Sequence, residues 1–283
     1  MTQVISLEKL ANDSRVINLN ATVSSEGFAD ALPNFFSDVK SFISDVFSFT
    51  KTDSTGALDT HGFFGSIKQV EYTTLMSVKI HMPMGFTGSV VHYIDTLEKA
   101  QGIAEHLVSD VLTPFSTWVA LNLADPTRLA QLTSDRSVQG LRFHDVPGVT
   151  KELAKFINPN SGESEVTFGS AFRRVGDWAE AVKQFNEVNT RANRISNTDI
   201  TNMVASISNN LDELLKRIKE DPTTYRVSGA TVKVISTLCF TMAKECEFYA
   251  AYRHLISNLQ IALLDSEKIL KEFIKDTAKV SKD

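Results

Sequence analysis

The apolar residues of this chain recur for most of its length at steps of three and four, the spacing that places them on one face of an α-helix. The first such stretch covers residues 28–49 and contains the sequence FFSDVKSFISDVFSF at 35–49. Its Ser and Asp residues fall on the opposite side of the predicted helix. The predicted apolar face consists of Phe28, Leu32, Phe35, Val39, Phe42, Val46 and Phe49.

A different period follows this stretch. Apolar and polar residues alternate through TLMSVKIHM at 74–82, which predicts a small β element near 72–82. Pro83 and Gly85 end the pattern. Three short runs are candidates for the partner strand, namely LRFHDV at 141–146, EVTF at 165–168 and TTYRV at 223–227.

Helical spacing returns at Ser89 and predicts a long helix with an apolar face that extends to Phe115, Trp118 and Leu121. Gln101 is the only polar residue on this face. Pro114 lacks a backbone N–H, so we expect it to kink or divide the helix.

Further helices are predicted after a less regular region. A short helix is expected at 149–157 and a long one at 168–195. The spacing is most regular at 200–218, where Asp221 and Pro222 stop the helix.

The last predicted helix is the longest and carries about three apolar positions per heptad from Ile235 onward. That stripe is too wide for a two-stranded coiled coil and suits the central helix of a bundle. About 50 helical residues would span ~75 Å. The predicted fold is therefore mainly α, an elongated helical bundle with a long C-terminal helix. Residues 1–70 are predicted to form an N-terminal arm or subdomain and residues 71–283 the bundle domain.

Composition narrows the functional classes. The chain has 18 Phe but only 2 Trp and 5 Tyr, a choice that favours dry helix packing and interfaces. A formal net charge of −5 argues against a general nucleic-acid binder, because phosphate contacts need clustered Lys and Arg. We expect no secretion signal in MTQVISLEKLANDSR and no membrane-spanning helix, so the predicted location is the cytoplasm.

Metal, cofactor and phosphate motifs are not evident. No two of the six His are spaced as zinc ligands on one helix face, and there is no HExxH. The sequence GFTGS at 85–89 lacks the Lys of a phosphate loop and the third Gly of a dinucleotide fingerprint. We therefore predict no catalytic, cofactor-binding or metal-binding residue.

Two cysteines leave one nucleophilic alternative open. Cys239 and Cys246 are seven residues apart in one predicted helix, ~10 Å along its axis, too far for a disulfide between them. We predict two reduced, buried thiols. A pair formed in space by Cys246 with His92, His106 or His144 stays possible.

Two polar positions stand out from their surroundings. His144 lies beside Asp145 in RFHDVPG and is interpreted as part of a surface turn. Glu245 occupies a d position on the apolar stripe of the last helix. A carboxylate there either marks an opening in the bundle or pairs with a cation such as Lys244, Lys233 or Arg253. We interpret it as a packing or register device before a catalytic group.

The Phe-rich repeat is predicted to bind a partner through Phe35, Val39, Phe42, Val46 and Phe49. A membrane-surface helix should carry Lys and Arg on its polar face, whereas this one has four Ser, two Asp and one Lys. Packing within the chain remains an alternative. A flexible Ser/Thr/Gly-rich segment follows the helix and suits docking in a groove, with another copy of the chain as the favoured partner.

The stretch LCFTMAKECEFYAAYRHLISNLQIALLDSEKILKEF at 238–273 resembles helices in virion structural proteins of large tailed bacteriophages. So does the Asn-, Ser-, Thr- and Asp-rich, Phe-rich composition of the chain. The resemblance extends over the last third of the sequence and includes no signature residue, so it implies no site. It implies a structural role in many copies within a particle, expressed in the cytoplasm of a bacterial host.

The sequence thus predicts a non-enzymatic structural or assembly protein, a virion component that associates through helices with itself or with other structural proteins. One alternative is an enzyme or small-ligand-binding protein with a site inside the bundle, around Glu245, Cys246, Tyr249 and His254. The other is a membrane-active protein that uses residues 28–49.

Overall fold

A computed structural model of the chain describes residues 2–3, 72–83, 90–132, 141–144, 164–195 and 197–280. Of this part 80% is helical, which confirms a mainly α fold with a long C-terminal helix. The helix predicted to start near Pro33 within the stretch 28–49, the helix predicted at 149–157 and the predicted domain boundary at residue 70 lie outside the described residues and stay predictions.

The described elements fall into eight α-helices, one π-helix and four short strands. In chain order they are β1 (Thr2–Gln3), α1 (Tyr72–Met76), β2 (Lys79–Met82), α2 (Val90–Glu105), the π-helix (Leu107–Leu112), α3 (Thr113–Leu123), α4 (Pro126–Ala130), β3 (Phe143–His144), β4 (Ser164–Thr167), α5 (Phe168–Phe172), α6 (Val175–Ala192), α7 (Asn197–Glu220) and α8 (Gly229–Val280).

The chain divides into two compact units, each built from three separate segments. Unit 1 comprises Met1–Lys51, Glu105–Val146 and Ser196–Ala250, and unit 2 comprises Thr52–Ala104, Pro147–Ile195 and Ala251–Asp283. Helix α8 contributes its first part to unit 1 and its second part to unit 2.

The β element predicted near 72–82 is confirmed, but it is shorter than the alternating pattern. Strand β2 pairs antiparallel with β4, so the candidate partner EVTF is correct. The first half of the pattern is helix α1 instead, which packs against α5. The candidate run at 223–227 lies in the turn between α7 and α8.

Helices α1 and α5 approach closely at Gly169. A Cβ atom at this position would lie 3.1 Å from the backbone oxygen of Met76 and 3.2 Å from its Cβ. Thr167 caps α5 by accepting a hydrogen bond from Ser170 N–H, and Phe168 N–H donates to the Val78 carbonyl. These contacts fix the start of α5 beside the small sheet of unit 2.

Pro114 divides the helix predicted from residue 89, as expected, and the division takes the form of a π-helix. Thr113 N–H donates to the Val108 carbonyl, a five-residue step, and α3 begins with Pro114 in its first turn.

Leu121 is 53% exposed, so its predicted place on the buried face was wrong. The two steps of three residues, from Phe115 to Trp118 and from Trp118 to Leu121, place the Leu121 side chain about 120° around the helix axis from that of Phe115.

The helix predicted at 168–195 is two helices. Helix α5 ends at Phe172 and α6 begins at Val175, with Arg173 between them at φ 49°. Arg174 N–H donates to the Phe172 carbonyl across this tight turn. The buried side of α6 nevertheless follows the predicted spacing through Trp178, Val182, Phe185, Val188 and Ala192.

The last two predicted helices are confirmed. Helix α7 ends one residue before Asp221, and its regular 4-3 positions from Ile200 to Leu214 are buried. It packs against α3 in unit 1, where the Ser116 and Ser206 hydroxyls lie 3.5 Å apart. In α8 all six predicted a positions are buried, namely Ile235, Met242, Tyr249, Ile256, Leu263 and Leu270.

Candidate functional site

The predicted partner-binding residues Phe35, Val39, Phe42, Val46 and Phe49 lie outside the described residues, so their role stays a prediction. The described chain does bring together two residues that the sequence had singled out separately, His144 and Glu245. This pair lies within unit 1, and both of its side chains are buried.

His144 belongs to a two-stranded ribbon. Strand β3 pairs antiparallel with β1, with Thr2 opposite His144 and Gln3 opposite Phe143. Both Phe143 and His144 are buried. The interpretation of His144 as part of a surface turn was therefore wrong, because the ribbon carries this residue into the interior.

Glu245 reaches the ribbon from helix α8. Its d position lies on the apolar stripe between the buried residues Leu238 and Tyr252, and the residue is only 1% exposed. A carboxylate buried in this way is costly unless hydrogen bonds compensate the loss of water. The geometry of unit 1 supplies them from the neighbouring ribbon.

Both oxygens of the Glu245 carboxylate contact His144. The backbone N–H of His144 donates to Oε1 at 2.5 Å, and Nδ1 of the imidazole lies 3.0 Å from Oε2. The two residues are separated by 101 positions in the sequence. The predicted pairing of Glu245 with a nearby Lys or Arg thus missed this partner, which only the folded chain brings into contact.

The chemistry open to this pair follows from its geometry. A carboxylate bonded to Nδ1 orients the imidazole and favours the tautomer whose lone pair is on Nε2, as found for metal ligands and general bases. The same carboxylate also binds the main chain of His144, which positions the strand. The arrangement can therefore orient the ring through Oε2 and hold the strand through Oε1.

The cysteines are free and fully buried, as predicted. Burial raises the pKa of the Cys239 thiol to about 12. Burial also raises the pKa of Cys246, and the negative charge of Glu245 raises it further. A nucleophilic cysteine needs the opposite, a lowered pKa and access to solvent, so the environment of Cys246 disfavours the nucleophilic alternative.

The remaining described histidines are exposed on the surface. His254 Nε2 lies 3.1 Å from Asn258 Nδ2 on the same helix, whereas Glu245, Cys246 and Tyr249 are buried. Across the described ranges, no three His, Cys, Asp or Glu residues converge as metal ligands would. In that same part of the chain, no helix is both long and apolar enough to cross a membrane.

Unit 2 contains an open cleft of about 230 Å³ beside the end of β2. Its polar lining comes from His81, Asn258 and Asp265, and its apolar lining from Met82, Pro83, Ile261 and Ala262. His144 and Glu245 do not line it.

Comparison of the chain with protein-family models, with curated proteins and with solved structures finds no match.

Proposed function

We propose that this chain is a non-enzymatic structural or assembly protein that associates through helices, with copies of itself as the favoured partner and other structural proteins as further partners. The proposal is supported chiefly by the role of the buried ionisable groups. The carboxylate of Glu245 is occupied by His144, and that of Glu267 by Lys271 one helical turn away. Both thiols are buried with raised pKa values.

Pairing of this kind holds segments of the chain together, which is a structural role. A catalytic carboxylate or thiol needs a reacting atom within hydrogen-bond distance, and therefore a cavity beside it. The cleft in unit 2 is lined by other residues, among them His81 and Asp265. The buried ionisable groups and the cleft thus involve different residues, and this separation favours a protein that acts through its surfaces.

The narrower form of the proposal, a virion component of a large tailed bacteriophage, rests on the resemblance of residues 238–273 and of the overall composition. A cytoplasmic site of synthesis belongs to the same proposal. It is distinguished from other assembly roles by the genes that flank the coding sequence, where capsid or tail genes are expected.

The Phe-rich stretch supplies the specific test. Replacing Phe42 and Val46 together by Asp places two charges on the predicted apolar face, which should prevent its burial in any interface. Replacing Ser41 and Ser44 by Asp adds the same charge on the predicted polar face and is the matched control. We expect sedimentation velocity to show the 31.3 kDa monomer for F42D/V46D and wild-type association for S41D/S44D.

Circular dichroism of each variant controls for the fold. If F42D/V46D keeps both the helical spectrum and the wild-type association, docking through residues 28–49 is wrong. If F42D/V46D loses helical signal while S41D/S44D does not, the stretch packs within the chain, the alternative that its sequence leaves open.

A further inference from the structure

The contact between Glu245 and His144 connects a strand to a helix through a single carboxylate. Oε1 binds the main chain of His144 and Oε2 faces its ring, so the residue is held at two points. Strand β3 is in turn paired with β1, which holds Thr2 and Gln3. The first strand of the chain is therefore linked to helix α8 through β3.

The choice of residue at position 245 is informative. It lies on an apolar stripe where Leu or Met would pack, and replacing a buried charge by an apolar residue of similar volume is often neutral or stabilising. Core packing therefore does not account for a carboxylate there. The hydrogen bonds to β3 do account for it, because an apolar side chain could make neither of them.

We propose that Glu245 is a latch that retains the ribbon of β1 and β3 on unit 1. Loss of its carboxylate leaves the buried N–H and ring nitrogen of His144 without their acceptor, and water becomes the better partner for both. The ribbon then opens while the apolar stripe of α8 stays packed.

Limited trypsin digestion of the full chain tests the latch, because the bond between Arg142 and Phe143 at the start of β3 is a natural trypsin site. Arg142 is exposed, but the residues after it, Phe143 and His144, are buried in the ribbon. Cleavage after Arg142 therefore requires the ribbon to open. We expect the rate of this cleavage, measured by mass spectrometry, to be at least about tenfold higher in E245L than in the wild type.

Two controls separate the latch from a general loss of structure. E245Q keeps an oxygen for His144 N–H and an amide that can pair with Nδ1, so its cleavage rate after Arg142 should stay close to that of the wild type. Cleavage after Arg217, inside helix α7, reports unfolding of unit 1 and should be unchanged in E245L. An unchanged rate after Arg142 in E245L overturns the latch, as does an equal increase after Arg217.

Discussion

The sequence reveals one member of the Glu245–His144 pair as unusual but not the pairing itself. Glu245 stands out because its carboxylate interrupts an otherwise apolar stripe. Its partner cannot be predicted, because His144 lies 101 residues away and no local pattern connects the two. The buried positions of α8 were predictable for the opposite reason, since helical periodicity is a local property.

At Gly169 a single added methyl group should lower the free energy of unfolding. In G169A the new Cβ would lie 3.1 Å from the Met76 carbonyl oxygen, a backbone atom that cannot easily move. We expect a loss of about 1–3 kcal/mol in the free energy of unfolding, measured by chemical denaturation.

Gly102 provides the matched control for that substitution. It is exposed within α2, and a Cβ there would meet nothing within 4 Å. G102A should therefore gain roughly 0.5–1 kcal/mol from helix propensity. Equal effects of the two substitutions would contradict the close packing of α1 against α5.

The two thiols should be unreactive in the folded protein. Burial raises the pKa of Cys239 to about 12 and that of Cys246 as well, so little thiolate forms near neutral pH. With a thiol reagent such as Ellman's we expect both cysteines to react only after denaturation. Rapid reaction of Cys246 in the native protein would make it a candidate nucleophile again.

At the scale of elements, the existence of long helices was predictable and their interruptions were less so. Pro114 marked one division in advance. The break at Arg173 has no Gly or Pro, and its backbone at φ 49° is imposed by the turn between α5 and α6. Helix α1 likewise replaced part of a predicted strand, because packing against α5 overrides an alternating pattern of only a few residues.

The connection between α7 and α8 should be sensitive to acid. Hydrogen bonds from the hydroxyls of Thr224 and Thr223, and from the Thr224 N–H, lower the pKa of Asp221 from 3.8 to about 2. Because the folded pKa lies below the unfolded one, ionised Asp221 stabilises the turn. This contribution is complete above the unfolded pKa and is lost as the pH falls toward about 2.

D221N removes the titrating group and retains a hydrogen-bond acceptor. We expect the wild type to be more stable than D221N at neutral pH and the difference to shrink on acidification, as measured by chemical unfolding. A carboxyl titration of Asp221 by NMR should give a midpoint near 2. A midpoint near 3.8 would contradict the hydrogen-bonded turn.

At the scale of the whole molecule, the sequence predicted the fold class but not the grouping of its segments. Each unit combines three segments that are far apart in the chain, and α8 enters both. Such grouping depends on long-range packing that periodicity does not encode. The role of the Phe-rich stretch also belongs to this scale, because an apolar helical face predicts burial without identifying what covers it.

The most direct test of the assembly proposal is the mass of the wild-type protein in solution as a function of concentration. Light scattering coupled to size exclusion, from nanomolar to high micromolar protein, should show the mass rising above the 31.3 kDa monomer as concentration increases. A constant mass of 31.3 kDa across the whole range would contradict self-association as the function of this chain.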